Sequence, residues 1–223
     1  MAYGETMRKL SPCQDELVLS ALASACPAPR ALLDAGCGRG DRLAAVAAAR
    51  PDTACCGVDC DADNAAAARA RCPGAEIVTG NVCALPWADG RFDAAMCECT
   101  LSLLDAPERC LAELYRVLRP GGTLLLSDLV GGGDGEARER IAPSGAVRYL
   151  AACAWTQRAL RAAGFTIRSF RDCREEYLTM AAQMIFDSDG DGCACLGPGV
   201  FAALRERKAS YGMWLLERTA AEP

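Results

Sequence analysis

The sequence predicts an α/β fold: a parallel sheet with helices on both faces. Three observations carry that expectation. Strand-length apolar runs alternate with segments of near-helical apolar spacing between residues 30 and 130. The strand runs read as buried, which suits a sheet covered on both sides. The chain has 223 residues and is 52% hydrophobic, enough for one such domain and its core.

The elements follow in order. Residues 14–25 predict a helix. Residues 30–36 predict a buried strand running into a turn, and 42–51 a helix stopped by Pro51. Residues 53–59 predict a second strand, 62–72 a helix and 75–80 a third strand. A fourth strand, 91–99, is entered through the turn signal Ala88-Asp89-Gly90. Residues 107–122 predict a helix ended by Pro120-Gly121-Gly122, and 123–130 a fifth strand. Right-handed crossovers leave few topologies for this series. Beyond Val130 the pattern weakens, and the next residues read as a flexible connection. Residues 155–165 then predict a helix, 165–173 a strand and 174–186 a helix. An irregular loop at 187–199, a helix at 200–210 and a last strand at 211–219 complete the chain.

Composition excludes several classes. There is no histidine, so His-based triads and His-ligated metal sites are ruled out. The net charge is −5 and arginine is scattered, which argues against a nucleic-acid groove. The N-terminal stretch lacks the apolar core of a signal peptide, and no run is long enough to span a membrane. A soluble cytoplasmic protein is expected. Its fifteen cysteines lie largely inside apolar patterns, as small hydrophobes do.

The stretch Leu32-Leu-Asp-Ala-Gly-Cys-Gly-Arg-Gly-Asp41 carries the chemistry. Its glycines, Gly36, Gly38 and Gly40, fall at alternate positions. That is neither the dinucleotide pattern nor a P-loop. Asp34 just before them would repel a diphosphate and suits a ligand with a positive group. Asp59 ends the second strand, where a carboxylate can accept from ribose hydroxyls or cap the following helix. Together the two acids ask for a nucleoside that bears a cation and no phosphate. S-adenosyl-L-methionine answers that description.

With the stretches at 32–40, 57–64, 80–104 and 113–130, the chain resembles class I S-adenosylmethionine-dependent methyltransferases. The branch is the one that includes ubiquinone/menaquinone and arsenite methyltransferases. The resemblance implies a Rossmann-like three-layer sandwich with a seven-stranded, mostly parallel sheet and an antiparallel last strand. It implies an N-terminal helical cap over residues 1–29 and a methyltransferase domain over 30–223, with an insertion at about 174–210. It assigns Asp34, Gly36, Cys37 and Gly38 to the methionine part of the cofactor, with Gly40 closing the motif. It assigns Asp59 to the ribose, Cys60 to the neighbourhood of the adenine, and Asn81 and Val82 to the adenine edge. Where the family commonly has Asp, this chain has Asn81, whose amide oxygen can accept from the adenine amino group. Cys97 and Glu98 end the fourth strand near the ammonium group. Tyr3 and Arg8 are placed to fold over the cofactor.

The acceptor is the open question. Strand alternation puts Cys97 and Cys99 on one side and Glu98 on the other. Glu98 is a candidate for orienting the cofactor amine or acting as base. Cys99 matches the thiol that binds arsenic in arsenite methyltransferases, and Cys153 is a candidate second thiol. The expected activity is methyl transfer to a small-molecule acceptor. The alternatives are an arsenite or thiol methyltransferase using Cys99, and a non-catalytic metal- or redox-binding module. Residues 187–192 begin like a calcium loop, but Pro198 stands where the closing glutamate belongs, so a polar turn is expected. Cys193 and Cys195 have no partner pair at zinc spacing, and no resident metal is expected. Specificity is expected in the 174–210 insertion.

Overall fold

A computed structural model describes residues 11–132, 135–187 and 199–219. Helix α1 (Asp15–Ala25) precedes β1 (Ala31–Ala35), α2 (Asp41–Ala49), β2 (Ala54–Asp59), α3 (Ala62–Arg71), β3 (Glu76–Thr79) and β4 (Phe92–Glu98). A 3-10 turn at Leu101–Leu103 leads to α4 (Pro107–Val117) and the long β5 (Leu118–Gly131). Then come β6 (Arg138–Arg140), β7 (Tyr149–Ala152), α5 (Cys153–Ala162), β8 (Phe165–Asp172), α6 (Arg174–Asp187), α7 (Val200–Glu206) and β9 (Ser210–Arg218).

Seven strands run in the order β3-β2-β1-β4-β5-β9-β8. The first five are parallel, and β9 is antiparallel to both its neighbours. The expected sheet is therefore present. Two short strands extend it: β7 pairs with the end of β5 at Val130 and Gly131, and β6 pairs with β7. This corrects the flexible connection expected after Val130. Arg138-Glu139-Arg140 has no apolar alternation, so nothing in its pattern marked an edge strand.

Alternate residues of each strand feed two cores. Leu32, Ala94 and Met96 pack with Val18 and Leu22 of α1, Leu43 and Val46 of α2, and Tyr177 and Met184 of α6. Leu33, Ala95 and Cys97 pack on the other face with Cys110, Leu111 and Leu114 of α4 and Leu160 of α5. Each fully buried leucine contributes about 1.5–3 kcal/mol. Helix α4 shows how the pattern works: its buried residues Pro107, Cys110, Leu111, Leu114 and Val117 recur at helical spacing. It stops at Val117, short of the expected residue 122, because Pro120 cannot continue a helix and Leu118 is already extended. Helix α3 is capped by Asp61, whose carboxylate accepts from the backbone N–H of Asp63 at 2.8 Å and of Asn64 at 3.1 Å. The cap is therefore Asp61, which leaves Asp59 for other partners.

Strands β8 and β9 pair directly, with Asp172 opposite Gly212, and α6 and α7 lie between them in the chain. Among the described residues, no helix is long and apolar enough to cross a membrane. Tyr3, Arg8, the acidic turn after Asp187, Cys193 and Cys195 lie outside the described residues.

Candidate functional site

The carboxyl ends of β1, β2 and β4 lie side by side, with Ala35 opposite Val58 and Asp34 opposite Met96. The glycine loop leaves β1 at this edge. The N–H groups of Gly36 and Cys37 both donate to Val58 O, at 2.8 and 2.9 Å. Gly36 has φ +81°, and a Cβ there would lie 2.3 Å from Thr100 Oγ1. Gly38 has φ +52°, yet a Cβ there would meet nothing within 4 Å. Packing explains Gly36. Gly38 instead leaves an open cradle beside the loop backbone, as a closely approaching ligand requires. Gly40 faces Ala68 of α3 at 3.0 Å, so the helix contact accounts for it. The thiol of Cys37 tucks over Gly57 of β2 and is buried, so only its backbone faces the loop.

Asp59 holds the loop from the neighbouring strand. Its carboxylate accepts from Gly38 N at 2.8 Å and from Asp61 N at 3.0 Å. Asp34 is buried below. Burial pushes its carboxyl up to about 8; Glu98 and Asp59 add to this and Arg42 opposes it. The carboxyl groups of Glu98, Asp15 and Asp34 all bear on the Arg42 guanidinium. Arg42 Nε donates to Glu98 Oε1 at 2.7 Å, and the same guanidinium donates to Cys13 O at 2.6 Å and also binds Asp15. It pins the segment before α1 across the mouth of the site. Ser11 adds a bond to Glu98 at 3.1 Å.

This donor set fits S-adenosylmethionine. The loop cradle is open, the acids outnumber their cation, and an incoming sulfonium and ammonium would balance them. Asp59, Cys60 and Asn81 border the cleft beyond β2 and β3, and the last two are exposed. Asn81 Oδ1 accepts from Cys83 N at 2.8 Å, a local turn that leaves the amide NH2 outward. The expected use of the amide oxygen toward adenine therefore meets a competitor. Val82 is buried in the α4-side core.

Strand β4 ends at Glu98, and Cys99 takes φ +49°. The alternation stops there. Cys97 packs with Cys110 on the α4 side, whereas Cys99 packs against the opposite core. The expectation that these two thiols share a side is thus corrected, and Cys97 turns its thiol away from the cleft. Cys153 also lies on the α4–α5 side, so the structure does not bring it to Cys99. Cys99 instead meets Tyr211 of β9, and burial pushes its thiol up. Among the described residues, no group of three or more cysteines and carboxylates is placed to hold a metal ion.

Sequence reasoning missed Arg42, Thr100, Ser127 and Tyr211. Arg42 follows the glycine motif directly and was the most findable. Tyr211 reaches the site only because β9 pairs with β5.

The fold resembles that of class I methyltransferases. Residues 33–126 match the family model described as a methyltransferase domain. The chain is similar to a "Probable S-adenosylmethionine-dependent methyltransferase" of Mycolicibacterium smegmatis, 37% identical over 115 residues, 50% of this chain and 42% of that one. It is likewise 37% identical over 114 residues to a ubiquinone/menaquinone biosynthesis C-methyltransferase of Methylobacterium nodulans, 48% of this chain and 45% of that one. It spans less than half the length of these curated relatives. Among solved structures, a geranyl diphosphate C-methyltransferase from Streptomyces coelicolor superposes with TM-score 0.75 at 16% identity, covering 92% of this chain and 80% of that one. The [4+2]-cyclase SpnF superposes with TM-score 0.74 at 24% identity, covering 93% and 82%. Those likenesses concern the fold, and the second shows that the fold serves more than one chemistry.

Proposed function

We propose that this chain transfers a methyl group from S-adenosylmethionine to a small-molecule acceptor by in-line displacement. The observation that carries this reading is the excess of acid under an open glycine loop: Asp34, Asp59 and Glu98 against Arg42. Bound there, the cofactor supplies an activated methyl carbon. The chain's own work is to position and to exclude water. Asp59 turns its carboxylate to the ribose hydroxyls, and the backbone at Gly36–Gly38 accommodates the methionine part. Cys60, Asn81 and Val82 border the adenine. Glu98, held by Arg42, orients the ammonium end rather than serving as a mobile base. Cys99, next in the chain, stands at the entrance to the acceptor side.

Calorimetry with S-adenosylmethionine under reducing conditions tests the reading. Stoichiometric binding is expected, and Asp59→Ala should weaken it roughly ten- to hundred-fold, since bonds to a charged acceptor contribute about 1.5–3 kcal/mol. Unchanged affinity would sink the ribose assignment. Repeating the titration with arsenite and thiol separates an organic acceptor, indifferent to them, from a metalloid held at Cys99.

A further inference from the structure

Next to the cofactor cleft lies a cavity of about 420 Å³, its open mouth included. Cys99 lines it, one residue beyond Glu98. Leu129 comes from β5 and Val147 from the stretch before β7. Tyr177 and Met180 come from α6, and Phe201 from α7. The lining contains no charged side chain among the described residues. Its polar groups stay neutral: burial pushes the Tyr177 hydroxyl and the Cys99 thiol up. The charged groups that bear on Cys99 are Asp128, Glu98 and Arg42, and Arg42 is already committed to Glu98. An anionic occupant would meet acids with no cation of its own. A cationic one would be desolvated in an apolar chamber without a direct counter-ion. Two methionines, Met180 and Met184, give the wall an adaptable surface.

Resting on the methyl-transfer reading, we propose that the acceptor is an uncharged, predominantly apolar small molecule seated in this cavity, between the sheet end and the α6–α7 layer. Its reacting atom points past Cys99 toward the cleft. The specificity elements are then the described faces of α6 and α7.

The test uses protein saturated with S-adenosylhomocysteine and two probes of one shape, neutral 2-naphthol and anionic naphthalene-2-sulfonate. Their fluorescence is titrated against wild type, Met180→Asp and Phe201→Asp. Both substituted residues are partly exposed, so the fold should tolerate the change. The neutral probe should bind roughly ten-fold or more tighter than the sulfonate, and each variant should lose roughly ten-fold for it, because an unpaired charge then faces the occupant. Affinity for S-adenosylhomocysteine, measured by calorimetry, should be unchanged in both variants. Equal binding of the two probes, or variants that bind 2-naphthol like wild type, would overturn the proposal. Protein that binds S-adenosylhomocysteine but not 2-naphthol overturns the acceptor class alone. Failure to bind S-adenosylhomocysteine overturns the transfer reading beneath it.

Discussion

The thiol of Cys99 lies 3.1 Å from the hydroxyl of Tyr211. Tyr211 donates onward to Ser127 Oγ at 3.0 Å, and Ser127 to Glu98 Oε2 at 3.4 Å. Because the single Tyr211 proton goes to Ser127, the thiol is the donor in the first contact. The acceptor cavity and the cofactor cleft are thereby joined by one directed line of hydrogen bonds, ending on the carboxylate that Arg42 holds.

Tyr211→Phe removes the middle of that line. Cys99 and Ser127 each lose a partner, and Ser127 is fully buried. The expected cost is about 1–3 kcal/mol of stability, read as a lower midpoint in urea. Binding of S-adenosylmethionine should persist, since no cofactor group is assigned to Tyr211. A wild-type midpoint would show that the line carries no energy.

Asp34 makes stability depend on pH. Its carboxyl is pushed up to about 8 in the folded protein, against 3.8 when exposed. Between those values the folded state holds a proton that the unfolded state has lost. Stability of the unliganded protein should therefore fall as pH rises through that window. Asp34→Asn should flatten the slope. A cationic ligand favours the ionised carboxylate, so S-adenosylmethionine binding near neutrality should release a proton. Calorimetry in buffers of different ionisation enthalpy detects it, and a heat independent of buffer would contradict the assignment.

Asn81 offers a substitution expected to improve binding. Its oxygen is engaged by Cys83 N, so its amide faces outward as a donor. Asn81→Asp keeps the turn with one oxygen and presents the other to the adenine amino group. One added hydrogen bond contributes about 0.5–1.5 kcal/mol, a gain of up to roughly ten-fold in S-adenosylmethionine affinity. Weaker binding by the variant would place the adenine elsewhere.

The five parallel strands were legible because each is a compact apolar run, and β1, β2 and β4 are followed by a helix before the next strand. The glycine loop was legible for a related reason: Gly36 and Gly38 both take positive φ, a region that favours glycine. What escaped is what depends on tertiary pairing. Arg138–Arg140 became a strand only because β7 offered it an edge. Cys99 left the face that alternation assigned it because one positive φ ended the strand. Tyr211 entered the site across a sheet contact between residues far apart in sequence, which no local pattern encodes.

Cys13 and Cys173 place their sulfurs 3.7 Å apart, one just before α1 and the other at the start of α6. Both are almost wholly buried, at 2% and 0% exposure. The segment that Arg42 draws across the cleft carries one thiol of this buried pair, so lifting it would uncover Cys13. Their rate of alkylation, followed by peptide mass, is then expected to report that opening. It needs no introduced label, and ligands that hold the segment down should slow it.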